Sequence, residues 1–205
     1  MVMCCRYLLE ESPELMPIIE AMNRSPLTGK LFPGQSVRSA GEVRPADIVP
    51  VVAPDRKGAR AVFPMQWGFT GFSGKGLIIN ARCETAAVRP MFRNSWTSRR
   101  CAVPASCYFE WEHLTSPDGK KKTGRKFRLE TGTGSFWLCG LYRMEEGIPR
   151  FVILTREPGE SVRFMHDRMP LILPESAVEE WIRPETHPED LLSLAQTDLW
   201  VRLAG

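Results

Sequence analysis

The sequence predicts an α+β domain built on a strongly bent β-sheet or barrel-like core with a few flanking helices. Three features predict it: β-rich apolar runs are short and numerous, helical periodicity is confined to a few stretches, and no regular β-α-β alternation runs through the chain. At 205 residues the chain can bury one sizeable core, so a single domain over residues 1–205 is expected.

After a strand-like CRYLL, the stretch SPELMPIIEAMNRSP predicts a short helix with Ser12 as N-cap, Pro13 at the first helical position and an end before Pro26. Residues 27–48, rich in Gly, Pro and polar side chains, lead into the β run IVPVVAP, and DRKGAR predicts a hairpin turn into AVFPMQWGF. GLIINAR predicts a buried strand, and ETAAVRPMFRNSW a helix interrupted or restarted near Pro90. RRCAVPASCYFEWEH and KFRLETG flank TSPDGKKKTGR, which predicts a long hairpin with a basic, mobile tip. SFWLCGLY and RFVILTR add strands, MHDRMPLIL follows a loop, and ESAVEEWI and PEDLLSLAQ are helical by capping and periodicity.

Composition removes several function classes. No apolar run reaches the ~18–20 residues that span a bilayer, and no basic segment followed by an apolar one opens the chain, so no membrane association and a cytoplasmic location are expected. There the six cysteines (Cys4, Cys5, Cys83, Cys101, Cys107 and Cys139) should stay reduced, and none forms a C-x-x-C pair for zinc or redox work. No Gly-rich phosphate loop follows a strand, which disfavours P-loop and dinucleotide chemistry. No metal and no cofactor is called for. A net charge of +3 permits a nucleic-acid partner without arguing for one. Of 27 basic residues 20 are Arg and 7 are Lys, an excess that suits bidentate phosphate contacts and that GC-rich codon usage explains equally well.

Four groups stand out for reactive or polar chemistry in apolar or turn surroundings: Cys4 beside Cys5, Asn80 in IINARCET, Glu110 in CYFEWE and His166 in FMHDRMP. Each alone has a plainer reading. Asn at a strand end is a turn or cap residue, Glu in an alternating strand faces water, and His before Asp-Arg is paired. Taken together, MCCRY, QWGF, INARCETA, CYFEW and HDRMPLIL, in that order over residues 3–173, resemble the SOS response-associated peptidase (SRAP) family, the abasic-site processing proteins.

That resemblance implies a DNA-damage protein of the SOS response that senses abasic sites in single-stranded DNA, crosslinks to them through an N-terminal cysteine, and sits with the nucleoid when bound to DNA, with no obligate protein partner. By matching motifs, Cys4 is the reactive cysteine, Asn80 orients its amine, Glu110 is the acid/base carboxylate and His166 assists opening of the sugar ring, while Arg6, Arg82 and Arg168 contact phosphates. Trp67, Phe72 and Phe92 are candidates to stack on or wedge between bases, although Trp67 in a β run has a competing assignment to the core. The chemistry stands on general grounds. An amine attacks the ring-opened aldehyde of an abasic sugar to form an imine, and the neighbouring thiol closes a thiazolidine; only a terminal cysteine carries both groups. Reference pKa values of ~7.7–8.0 for the amine and ~8.5 for the thiol leave a fraction of each nucleophilic near neutral pH. The imine acidifies the C2′ proton, so strand cleavage by β-elimination is an intrinsic side path.

Three departures from the family pattern matter. Cys5 stands where Gly is usual, either as a buried neighbour or as a competing nucleophile. GEVRPAD carries Glu42 where an Asn is usual, a carboxylate that repels phosphate unless Arg44 offsets it. Removal of Met1 would expose Val2, so a terminal Cys4 requires a start at Met3 or self-cleavage before Cys4. Two other readings remain open: a thiol peptidase using Cys4 and His166, and a non-catalytic barrel that binds nucleic acid through arginines and aromatics.

Overall fold

The computed structural model describes residues 5–116, 118–119, 121–132 and 134–204. In the first half of the chain the strands are β1 (Tyr7–Leu9), β2 (Gly41–Val43), β3 (Ile48–Pro54), β4 (Arg60–Trp67), β5 (Phe69–Thr70), β6 (Leu77–Ile78) and β7 (Asn80–Arg82). The second half adds β8 (Arg100–Ala105), β9 (Cys107–Thr115), β10 (Lys121–Glu130), β11 (Phe136–Glu145), β12 (Ile148–Arg156), β13 (Met169–Pro170), β14 (Ile172–Leu173) and β15 (Trp200–Leu203).

Five of these strands close a barrel in the order β12, β4, β3, β8, β11 and back to β12. β3 and β4 form the hairpin expected around DRKGAR, with Val51 opposite Phe63. The Asp55 carboxylate closes the turn by accepting the N–H groups of Lys57 and Ala59 at 2.7 and 2.9 Å. Closure depends on β12, which runs parallel to β4 with Arg150 opposite Gln66 and antiparallel to β11 with Gly140 opposite Ile153. A Cβ on Gly140 would lie 2.9 Å from both the Cys101 sulfur and the Val152 carbonyl oxygen, so the wall admits no side chain there. The interior is filled by residues such as Val51, Val103, Leu138 and Ile153, all inaccessible to solvent. Burying each contributes ~1.5–3 kcal/mol. The α+β class with a barrel core is therefore the observed architecture.

A second sheet lies beside the barrel in the order β15, β10, β9, β1, β2. β9 and β10 are the arms of the long hairpin, with Glu110 opposite Phe127; its tip includes Pro117 and Lys120, which lie outside the described residues. β1 is an inner strand of this sheet, with Tyr7 opposite Tyr108 on one side and Val43 on the other.

The helices depart from expectation in detail. Ser12 does cap, accepting the Leu15 N–H on its hydroxyl at 3.3 Å, but it leads a turn, and the helix itself spans Met16–Arg24 with Pro17 in its first turn. The long polar stretch before β3 holds a helix at Leu27–Leu31 as well as β2, and GLIINAR divides into β6 and β7. The break at Pro90 is real: helices run over Cys83–Ala86 and Arg93–Ser98. At the end of the chain only Pro188–Leu191 of PEDLLSLAQ is α-helical, and β15 follows.

Candidate functional site

Strand parity builds the first wall of the site. Tyr7, Tyr108 and Phe127 are buried on the face of the second sheet that meets the barrel, and Glu110, two residues after Tyr108, shares that face. Glu110 is therefore buried at 3% exposure, not turned to water as an alternating strand first suggests. The Trp111 N–H donates to its carboxylate at 3.2 Å. The Phe109 N–H donates to the Arg6 carbonyl at 3.0 Å, fixing the chain just ahead of β1 against β9. Cys5 is half-buried there; burial first, then the negative charge of Glu110, push its thiol pKa up, which disfavours a competing thiolate.

β7 forms the second wall. It pairs parallel with β12, placing Asn80 opposite Ile153 and Arg82 opposite Thr155. The Trp67 indole N–H donates to the Ile79 carbonyl at 3.0 Å, and the Trp67 ring lies 5.4 Å from that of Tyr7. Trp67 thus ties the Asn80 segment to β1 while being wholly buried and stacked on Phe151, so the stacking role expected of it on DNA is corrected to a core role. Exposed Phe72, half-buried Phe92, Arg82 and Asn80 share a cleft of about 440 Å³ with Ile78 and Arg89.

The third wall carries His166, 9% exposed, beyond the helix Glu160–Arg163. Phe164 on this segment packs edge-on against Phe127, the cross-strand neighbour of Glu110, at 5.7 Å. His166 Nδ1 lies 3.1 Å from the Arg168 N–H and 2.7 Å from Asp167 Oδ1. A neutral imidazole with its proton on Nε2 accepts the Arg168 hydrogen, whereas a cation donates from Nδ1 to Asp167.

Carboxylates receive Arg6 and Arg168. Glu84 grips Arg168 bidentately, with Nη1 and Nη2 at 2.8 and 2.7 Å, and Arg168 Nη2 also donates to the Thr155 carbonyl at 2.7 Å. Glu42 receives Arg6 and Lys126, the latter at 2.8 Å, with Arg44 Nε at 3.7 Å. The offset expected from Arg44 alone is thus supplied mainly by Arg6 and Lys126. Burial would raise the Glu42 carboxyl, but hydrogen bonds from Lys126 and Arg6 outweigh it and hold its pKa below the ordinary range.

The structure gathers Asn80, Arg82, His166 and Arg168 around the end of β12, with Glu110 and Arg6 on the adjoining sheet. Cys4 lies outside the described residues, as do Met1, Val2 and Met3. Glu84, Arg89, Lys126 and Thr155 were not singled out by sequence; Glu84 alone carried a signal, standing inside INARCETA. The five described cysteines are free thiols.

A family model described as SOS response associated peptidase (SRAP) matches residues 3–200. The abasic site processing protein YoaM of Bacillus subtilis is 38% identical over 123 residues, 57% of this chain and 52% of that protein. The abasic site processing protein YedK of Escherichia coli is 32% identical over 136 residues, 64% of this chain and 60% of that protein. The chain spans about half the length of the first of the curated relatives it matches. Among solved structures, a phage-related protein from Bordetella bronchiseptica superposes with a TM-score of 0.73 at 22% identity, over 98% of this chain and 94% of that one. A protein from Bacteroides thetaiotaomicron gives 0.72 at 20% identity, over 97% and 91%. At these identities the two structures establish the fold.

Proposed function

The chain belongs to the SOS response associated peptidase family, and from that premise we propose that it processes abasic sites in single-stranded DNA during the DNA-damage response by forming a covalent thiazolidine through Cys4 as its terminal residue. The observation that carries this reading is the insertion of β1 between β9 and β2, which brings the chain just after Cys4 against the strand of buried Glu110.

The α-amine of Cys4 adds to the C1′ aldehyde, and loss of water gives the imine. The thiol then adds across the C=N bond, its proton passing to nitrogen, and the ring closes through C1′, N, Cα, Cβ and S. Asn80 orients the amine without adding charge. Glu110 and His166 deliver and remove protons, each role typically contributing ~10²- to 10⁴-fold. Removal of the C2′ proton from the imine by Glu110 is the route to strand cleavage as a lyase. Phe72 and Phe92 offer stacking faces, and Arg82 offers a cation for phosphate.

The test is a denaturing-gel assay with abasic single-stranded DNA, comparing protein that begins at Cys4 with protein that begins at Met1, both termini checked by mass. A covalent band only from the Cys4-terminal protein, lost on acetylation of its amine, is expected. A band from neither form sinks the crosslinking reading. Peptide cleavage that survives acetylation would favour a thiol peptidase, including self-removal of the residues before Cys4. Salt-sensitive binding with no covalent product would favour a non-catalytic barrel.

A further inference from the structure

Glu84 has no role in the chemistry proposed above, yet it joins two segments that do. It lies four residues after Asn80, in the helix Cys83–Ala86 that follows β7, and its carboxylate holds both terminal nitrogens of Arg168. Arg168 is anchored a second time through the Thr155 carbonyl on β12, and its side chain is only 13% exposed. The backbone N–H of this doubly anchored residue lies 3.1 Å from His166 Nδ1, placed to donate to it when the imidazole is neutral with its proton on Nε2.

We propose that Glu84 is a positioning residue for His166: by clamping Arg168 it fixes the Arg168 amide against Nδ1, which keeps the imidazole proton on Nε2 and ties the Asn80 and His166 segments into one frame. This rests on the crosslinking reading only for its catalytic purpose. The bidentate pair has the fork geometry that constrains orientation as well as distance. Asp167 is the competing partner: its side chain is 81% exposed and its Oδ1 lies 2.7 Å from the same nitrogen, so a loosened Arg168 amide leaves Nδ1 to donate to Asp167 instead. The clamp also answers how Arg168 acts. Both of its terminal nitrogens are engaged by Glu84, so its first task is to hold the His166 loop, with phosphate contact secondary.

Two measurements on Glu84→Gln decide the matter, with Glu84→Asp as the conservative variant and thermal melts checking that all fold. The first separates binding from chemistry, using a non-reactive tetrahydrofuran-containing single strand for Kd and abasic single strand for the single-turnover crosslinking rate. The expected result is a rate loss on the order of 10-fold with Kd changed less than about twofold, and partial recovery in Glu84→Asp. Tighter binding at an unchanged rate would overturn the proposal, making Glu84 a mere counter-ion to a phosphate-binding Arg168. The second is the assigned imidazole ¹⁵N spectrum of His166 in DNA-free protein. The clamp predicts pyridine-type Nδ1 and pyrrole-type Nε2 in the parent and mixed tautomers in Glu84→Gln; identical spectra would overturn it. Should the parent protein form no covalent product, the crosslinking reading falls, while the spectrum still decides whether the clamp sets the imidazole.

Discussion

Arg100 and Arg168 are both drawn out of solvent, and they differ in what receives them. Arg100 is wholly inaccessible and, among the described residues, donates only to backbone carbonyls: Trp181 at 2.8 Å, Trp96 at 2.7 Å, Thr97 at 2.8 Å, Thr186 at 2.9 Å, and Arg183. Its guanidinium lies 5.7 Å from the centre of the Trp181 ring. These bonds close the ends of the helices Arg93–Ser98 and Glu175–Ile182, whose last carbonyls would otherwise lack partners. Arg168 is held by a carboxylate that remains 43% exposed, and it links segments carrying candidate chemistry. An arginine satisfied by carbonyls is structural mortar. One satisfied by a reachable carboxylate ties two segments together at a point that water still touches.

The largest effect expected from this contrast is on stability. Arg100→Met strands the buried or half-buried carbonyls that now receive its guanidinium and should cost about 3–5 kcal/mol by denaturant unfolding. Arg168→Met should cost about 1 kcal/mol or less, because water reaches Glu84. Equal losses would break the comparison.

A third arginine sharpens it. Arg6 is received by Glu42, which also holds Lys126, so Glu42→Gln should release cations that can meet phosphate. Fluorescence anisotropy with unmodified single-stranded DNA should then show tighter binding and a salt slope steeper by about 0.7 for each added phosphate contact. Weaker binding would mean that Glu42 builds the DNA surface instead of blocking it.

The smallest effect lies in acid. Burial would raise the Glu84 carboxyl, but the hydrogen bond and positive charge of Arg168, with a backbone N–H and the Cys83 thiol, together outweigh it and hold the pKa below ordinary, as Lys126 and Arg6 do for Glu42. A carboxyl whose folded pKa is depressed contributes stability that is present above its unfolded value of ~4.3 and is lost as pH falls through the folded value. The melting temperature should therefore drop as pH falls below about 4.5, and less steeply in Glu42→Gln and Glu84→Gln. Carbonyls do not titrate, so the decrement caused by Arg100→Met should stay nearly constant over the same range.

Much of the fold was legible because one-dimensional patterns carried it. IVPVVAP, DRKGAR and AVFPMQWGF place the β3–β4 hairpin, and Pro90 marks the helix break. What escaped lacks such a pattern. β15 is a short edge strand with Trp200, Arg202 and Leu203 exposed, so no alternation marks it, and β2 is three residues long with only Val43 buried. Within the site, Glu110 and His166 stood out by residue type, but the burial of Glu110 follows from which face of β9 meets the barrel. Trp67 carried two assignments because an indole that packs a core and one that stacks on a base look alike in a QWGF run; its burial decides for the core. In RRCAVP, Arg99 is exposed and Arg100 buried, and no local feature separates them. Partners such as Glu84 and Arg168 meet only in three dimensions.

The inner position of β1 has a consequence in time. Leu8 pairs with Glu42 on one side and Cys107 on the other, so this strand has no complete berth until the chain has been made and folded past β9. Long-range pairings of this kind form late, because their loop-closure cost must be met first. The chain just ahead of β1 therefore reaches its place against the strand of Glu110 only once β9 is there to receive it, so the amino end, though made first, is seated late.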